Sequence, residues 1–208
     1  MQEKLIFYYS AMKGGKTTRI LQKLHDLEEN GQNVLVIKPQ VDTKGSDMII
    51  NRQKESRKVD ILLKPDDTLL SEQYIKKIWY AHHILVDEAQ FLEEKQIEEL
   101  WEINKNINIP ITCFGLKSNF QGELFAGSAK LIALADEIVE LDSNSLCPCG
   151  APAKFNARMV NDCFTMEGSE IEIDGANQDI TYVPLCGKCY FDKIYSKKKM
   201  KKHAKKEE

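Results

Sequence analysis

Ser10-Ala11-Met12-Lys13-Gly14-Gly15-Lys16-Thr17 has the residue types and nearly the spacing of a phosphate-binding loop. In such a loop, successive backbone N–H groups wrap the phosphates of a nucleotide, the lysine spreads positive charge over them, and the hydroxyl helps hold Mg²⁺. The helix that follows adds the positive end of its dipole. The pattern G-x-x-x-x-G-K-[ST] asks for glycine where this chain has Ser10, the next smallest polar choice. The competing reading is a Gly-Gly turn ahead of a basic helix start. What favours nucleotide binding is order: the apolar run Leu5-Ile6-Phe7-Tyr8-Tyr9 precedes the loop, and Ile20, Leu21, Leu24 and Leu27 recur behind it at helical spacing.

A second chemical element lies at Ile84-Leu85-Val86-Asp87-Glu88, an apolar strand ending in two acids. Asp87 comes 71 residues after Lys16, a spacing that suits a neighbouring strand of the same sheet. A carboxylate there reaches the Mg²⁺ shell, usually through water. Alone, the pair would read as the cap of the next helix; with the loop at 10–17, the metal reading prevails. Glu88 is placed to take a proton from whatever attacks the γ-phosphorus, water in an ATPase or a substrate hydroxyl in a kinase. The acceptor pocket decides which. Met12, Phe91, Leu116, Phe120 and Phe125 are expected near strand ends, where apolar and aromatic groups suit a flat base; taken singly, each aromatic is more often core than ligand, and only their shared placement on loops brings the two readings level.

Four thiols come in two tight pairs, Cys147-Pro148-Cys149 and Cys186-Gly187-Lys188-Cys189. Two such pairs on turns present sulfurs tetrahedrally to Zn²⁺, although C-x-C is one residue shorter than the usual spacing. Disulfides and a redox pair are the alternatives, the former disfavoured in a reducing compartment. Four protein ligands leave no open position, so the predicted zinc is structural. A segment pinned at both ends by metal could close over the pocket as a lid. Cys113 reads as a buried strand residue, Cys163 has no assigned role, and His82-His83 reads as surface.

Elements must position these groups. Strands are expected at 33–37, stopped by Lys38-Pro39, and at 59–62, 84–86, 111–114 and 137–141, with helices at about 69–80, 93–106 and 128–135. Residues 40–58, including Asp42, Lys44 and Gly45, read as a mobile polar loop. Strands alternating with helices, the central strands continuously apolar, predict an α/β fold with a parallel sheet covered by helices on both faces. At 208 residues, 42% hydrophobic and 29% charged, the chain can bury one such core plus a small appendage. The expected domains are 1–143, an ATP-binding P-loop domain; 144–193, a zinc-ribbon-like lid; and 194–208, a disordered lysine-rich tail. Residues 197–208 hold seven lysines and two glutamates, net +5, which leaves −8 on residues 1–196 from a total of −3. So acidic a body is a poor platform for nucleic acid. No signal peptide or membrane span is evident, so a cytoplasmic location is expected.

The chain resembles the type II thymidine kinases of the bacterial branch. The resemblance rests on Phe7-Tyr8-Tyr9-Ser10-Ala11-Met12 leading into Gly15-Lys16-Thr17, on Val86-Asp87-Glu88-Ala89-Gln90-Phe91, on Gly122-Glu123-Leu124-Phe125, and on the paired cysteines, in the family's order over about residues 4–193. Ser10 and the C-x-C pair both occur in that branch. The resemblance implies a P-loop NTPase-like fold with a zinc-anchored lasso, and transfer of the ATP γ-phosphoryl group to the 5′-hydroxyl of thymidine. It implies that Ser10 through Thr17 and Asp87-Glu88-Ala89-Gln90 serve ATP, with Thr17 and Asp87 on Mg²⁺. Glu88 is then the base, and Met12, Phe91, Leu116, Phe120, Phe125 and the lasso Tyr182 surround thymine. A homotetramer with dTTP feedback inhibition is also implied.

Departures concern substrate breadth: lysine stands where arginine is usual in Lys38-Pro39-Gln40-Val41-Asp42-Thr43-Lys44, Lys117 stands where some relatives are acidic, and Asn156 lies in a variable base-facing stretch. The rivals are a broader deoxynucleoside kinase and a P-loop ATPase switch whose zinc module contacts nucleic acid.

Overall fold

The computed structural model describes residues 2–40, 47–142, 145–169 and 180–195. The expectations placed on Asp42, Lys44 and Gly45 and on the lysine-rich tail from Lys197 lie outside the described residues. The chain packs as two units, and their membership is discontinuous in sequence. The first comprises 1–9, 15–117 and 125–141; the second comprises 10–14, 118–124 and 142–208.

The first unit is built on six strands, β1 (Leu5–Tyr9), β2 (Val34–Pro39), β5 (Ile61–Leu63), β6 (His83–Val86), β7 (Ile111–Gly115) and β8 (Glu137–Glu140). They form one sheet in the order β5-β2-β6-β7-β1-β8, and every pairing is parallel. Such a sheet is buried on both faces, and the alternation within single strands shows it. Leu35 and Ile37 of β2 face one apolar layer, with Leu5, Phe7, Ile84, Val86 and Ile111. Val34 and Val36 face the other, with Leu85 and Phe114. The first layer is closed by α2 (Glu72–Trp79), α3 (Glu94–Ile107) and α4 (Ala126–Leu134), through Ile78, Leu100, Ile103 and Leu131. The second is closed by α1 (Lys16–Glu29), through Ile20 and Leu24.

Three expectations change in this unit. β7 pairs with both β6 and β1, so the acids behind β6 follow a strand two places from β1 in the sheet, not its neighbour. The polar stretch expected as a loop through residue 58 contains an antiparallel hairpin, β3 (Met48–Ile50) and β4 (Ser56–Lys58). Lys38 and Pro39 extend β2 rather than stopping it. The hairpin is legible only through Ile49, which is buried against the α1 layer.

The second unit contains a three-stranded antiparallel sheet, β9 (Phe155–Val160) flanked by β10 (Cys163–Thr165) and β11 (Ile180–Leu185). The short helix α5 (Gly187–Tyr190) runs into a π-helical turn at Phe191–Tyr195. Its apolar content is small: Cys147, Ala157, Leu185, Tyr190 and Ile194 in one cluster, and Phe120, Ile180 and Tyr182 in another. Among the described residues no helix is long and apolar enough to cross a membrane.

Candidate active site

Lys16 opens α1 behind Gly15, whose φ of 85° is left-handed. The loop before it is tight. A Cβ on Gly14 would lie 2.4 Å from Ser10 Oγ and 2.9 Å from the Ala11 carbonyl oxygen. Serine in place of the usual glycine is therefore accommodated by the absence of a side chain at Gly14. The backbone closes there, Gly14 N–H donating to Ala11 O at 3.2 Å.

In the first unit Lys16 is buried. Burial pushes its ammonium below the ordinary lysine range, while the carboxylates of Glu88 and Asp87 pull it back up. Asp87 is also buried, directly behind β6. Burial, reinforced by the charge of Glu88, pushes its carboxyl up to about 7 against the pull of Lys38, the Glu88 N–H and Lys16. A buried lysine facing two adjacent acids is poised for a multivalent ligand: phosphates would pair the cation, and a divalent metal would restore the Asp87 carboxylate. Thr17, on the next helical position, is half-buried.

Glu88 adopts φ 51°, a left-handed conformation uncommon outside glycine. Its N–H donates to Asp87 Oδ1 at 3.0 Å. A 3₁₀ turn, Ala89–Phe91, follows at once. Ala89 is buried in the core layer of α2 to α4. The Gln90 amide is fully engaged: Nε2 donates to Glu88 Oε2 at 2.6 Å, and Oε1 accepts from Leu116 N–H at 3.0 Å.

The aromatic candidates fall into groups. Phe91 and Phe125 meet edge to face in the first unit, with ring centroids 5.5 Å apart. In the second unit Phe120 and Tyr182 form one cluster, against which Met12 packs. Leu116, half-buried behind β7, is tied through its N–H to Gln90. Asn156 Oδ1 accepts from Met12 N–H at 2.8 Å, and Ser145 Oγ donates to Met12 O at 3.1 Å.

Arg158 has no counterpart among the sequence-derived candidates. It is almost wholly buried, its guanidinium lies 4.1 Å from the centroid of Phe120, and its Nε and Nη2 donate to the Tyr182 hydroxyl at 3.2 and 2.9 Å. A cation in a strand between an alanine and a methionine gives little sign of burial in sequence. Its cross-strand partner Tyr182 is the signal that could have exposed it. The surface expectation for His83 changes. The residue is buried in β6, with Nε2 3.1 Å from Thr112 Oγ1. A histidine pair looks polar, but the position belongs to a central strand.

The four cysteine sulfurs of the second unit lie within 4.8 Å of one another, and no other such cluster occurs among the described residues. Cys149 and Cys186 sulfurs are 3.7 Å apart. For a tetrahedral ion with metal–sulfur bonds of about 2.3 Å the sulfur–sulfur edge is about 3.8 Å, so the cluster fits one thiolate-bound ion. Burial raises the Cys147 thiol, but N–H groups of Cys149 and Cys186 and neighbouring thiols outweigh it and bring it to about 6. Cys189 shifts the opposite way, up to about 12, through hydrogen bonds with the other three thiols, so the pair of shifts describes protons shared within the cluster. Cys113 is buried in β7 and its thiol is pushed well above the ordinary range. Cys163 is exposed on β10.

Comparison with known proteins agrees with this geometry. The thymidine kinase family model matches residues 3–190. The thymidine kinase of Zymomonas mobilis is 36% identical over 197 residues, 93% of this chain and 98% of its own length. That of enterobacteria phage T4 is 36% identical over 186 residues, covering 88% and 93%. That of Photorhabdus laumondii is 36% identical over 205 residues, covering 96% and 98%. Among solved structures, a DNA replication initiation factor aligns with 67% of this chain and 40% of its own at 13% identity and a TM-score of 0.39, a likeness that adds nothing to the fold described above. With nearly the whole chain matched by the family model and by full-length relatives, this chain belongs to the thymidine kinase family.

Proposed function

We propose that the protein transfers the γ-phosphoryl group of ATP to the 5′-hydroxyl of thymidine, giving dTMP and ADP. The observation that carries this reading is the pair Asp87–Glu88 at the carboxyl end of β6, with buried Lys16 under the influence of both acids. In the reaction the bond from the 5′-oxygen to the γ-phosphorus forms and the β,γ-bridging bond breaks. Glu88 takes the hydroxyl proton, and ADP leaves with its oxygen charged. Lys16 and the N–H groups of the loop through Thr17 hold the phosphates. Mg²⁺ carried with the triphosphate supplies charge neutralisation, and Thr17 and Asp87 are the groups that would hold it. Because phosphoryl transfer asks for little covalent help, positioning and charge provide most of the acceleration.

By the family resemblance, Phe91, Leu116 and Phe125 of the first unit and Met12, Phe120 and Tyr182 of the second are assigned to thymine. The cysteine cluster is assigned to one structural Zn²⁺, which fits its sulfur spacing and supplies a cross-link rather than chemistry. A zinc-anchored lid domain, a homotetramer, dTTP inhibition and a cytoplasmic location complete the reading on the same resemblance.

A coupled ADP-release assay with and without thymidine tests the reaction. ADP formation strictly dependent on thymidine is expected. Equal ADP release without nucleoside would instead indicate an ATPase, and equal rates across a deoxynucleoside panel would indicate a broader kinase.

A further inference from the structure

We infer that Gln90 is a positioning residue for the base: it clamps one carboxylate oxygen of Glu88 so that the other is presented to the nucleoside hydroxyl. The inference rests on the reading of Glu88 as the proton acceptor. Gln90 is buried, and each end of its amide has a partner of fixed polarity. The Leu116 N–H can only donate, so the amide oxygen must face it. The NH₂ group then faces the Glu88 carboxylate, which as an anion can only accept. The amide orientation is therefore set by chemistry at both ends.

The consequence is a bridge from the end of β7 to the base. Leu116 directly follows that strand, so its N–H is fixed by the sheet. Through Gln90 the sheet holds Glu88 Oε2 at 2.6 Å, leaving Oε1 as the atom to accept the proton. The backbone of Glu88, at a left-handed φ of 51°, is held separately, its N–H by Asp87 Oδ1 and its carbonyl by the Phe91 N–H, so the clamp acts on the side chain alone. Gly115 makes room for the bridge. A Cβ at that position would lie 2.7 Å from Gln90 Oε1 and 3.2 Å from its backbone nitrogen. A residue one methyl larger would displace the amide without removing any polar group.

The test is steady-state kinetics on Gln90→Met, which keeps length and volume and cannot donate, alone and combined with Glu88→Asp, whose carboxylate is drawn back from the clamp. For Gln90→Met we expect kcat to fall at least tenfold while KM for thymidine stays within about threefold. In the Glu88→Asp background the same change should cost less than about threefold. Gly115→Ala should reproduce the kcat loss with the amide still present, and it decides on the same criterion if Gln90→Met does not fold. A kcat within twofold of the parent, or an equal loss in both backgrounds, overturns the role of Gln90. A Glu88→Gln protein with undiminished kcat would instead overturn the base assignment itself, so the two failures are distinguishable.

Discussion

The two packed units reach order by different physical routes. In the first, a six-stranded parallel sheet is buried on both faces, and side chains such as Phe7, Ile84, Leu85 and Leu100 are wholly shielded from water. Burying such side chains contributes about 1.5–3 kcal/mol each, enough in aggregate to order the helices around it. In the second, a three-stranded sheet has few buried apolar groups, and one of its largest fully buried side chains is a cation, Arg158. Four thiols converge where a hydrophobic core would otherwise be needed. A rigid sheet can hold acids at its strand ends, whereas a small sheet with few buried apolar groups gains from a cross-link such as the metal proposed for the four thiols.

The strongest way to break this comparison is to remove the proposed metal. Cys186→Ser, or exhaustive chelation, should unfold the second unit, since structural zinc supplies on the order of 10 kcal/mol of folding energy in small domains. Metal analysis, together with near-ultraviolet signals from Tyr182 and Tyr190, reports it. Retained tertiary signals at zero metal would show that the apolar clusters suffice.

The reciprocal change is Leu100→Ala in the first unit. It should cost about 2–5 kcal/mol of that unit's stability by leaving a cavity between α3 and the sheet. Metal content should not change. A denaturant titration measures the loss, and a value under 1 kcal/mol would mean the layer is loosely packed.

Acid sharpens the comparison further. Burial, with the Lys23 charge second, lowers the His83 pKa from its ordinary value near 6.5 to about 4. Between those values the unfolded chain binds a proton that the folded chain does not. His83 therefore contributes a loss of stability as pH drops through that window, by up to about 3 kcal/mol, opposed by Asp87, whose raised carboxyl takes up a proton in the folded chain over the same range. His83→Gln should flatten this dependence; an unchanged slope would assign the acid sensitivity elsewhere. The smallest effect is expected at the surface. Lys105 reaches Asp136 at 2.7 Å, yet both remain partly exposed, so Lys105→Met should cost no more than about 1 kcal/mol in thermal melts.

What the sequence made visible follows the same division. β1 and the Ile84–Val86 stretch of β6 announce themselves as unbroken apolar runs, and β7 does so apart from Thr112, because both of their faces are buried, and α1 shows its Ile20, Leu24 and Leu27 stripe. Lys16, Asp87 and Glu88 are legible because their chemistry requires fixed positions at element ends. The second unit hides its strands. β9 mixes Asn156 and Arg158 with Ala157, and β11 contains Pro184, so hydrophobic periodicity has no purchase on either. Burial there comes from cross-strand partners such as Tyr182 that are distant in sequence. The β3–β4 hairpin is masked by its charged turn, and His83 by its polar character. The role inferred for Gln90 could not be read at all, since it depends on where Leu116 and Gly115 fall beside it.

The central claim is that Glu88 accepts the proton of the nucleoside hydroxyl. Measuring kcat for Glu88→Gln by thymidine-dependent ADP release, alongside thymidine affinity by calorimetry, tests it most directly. A loss of at least a hundredfold in kcat is expected, with affinity changed less than about threefold. A variant that turns over within a few fold of the parent would contradict it.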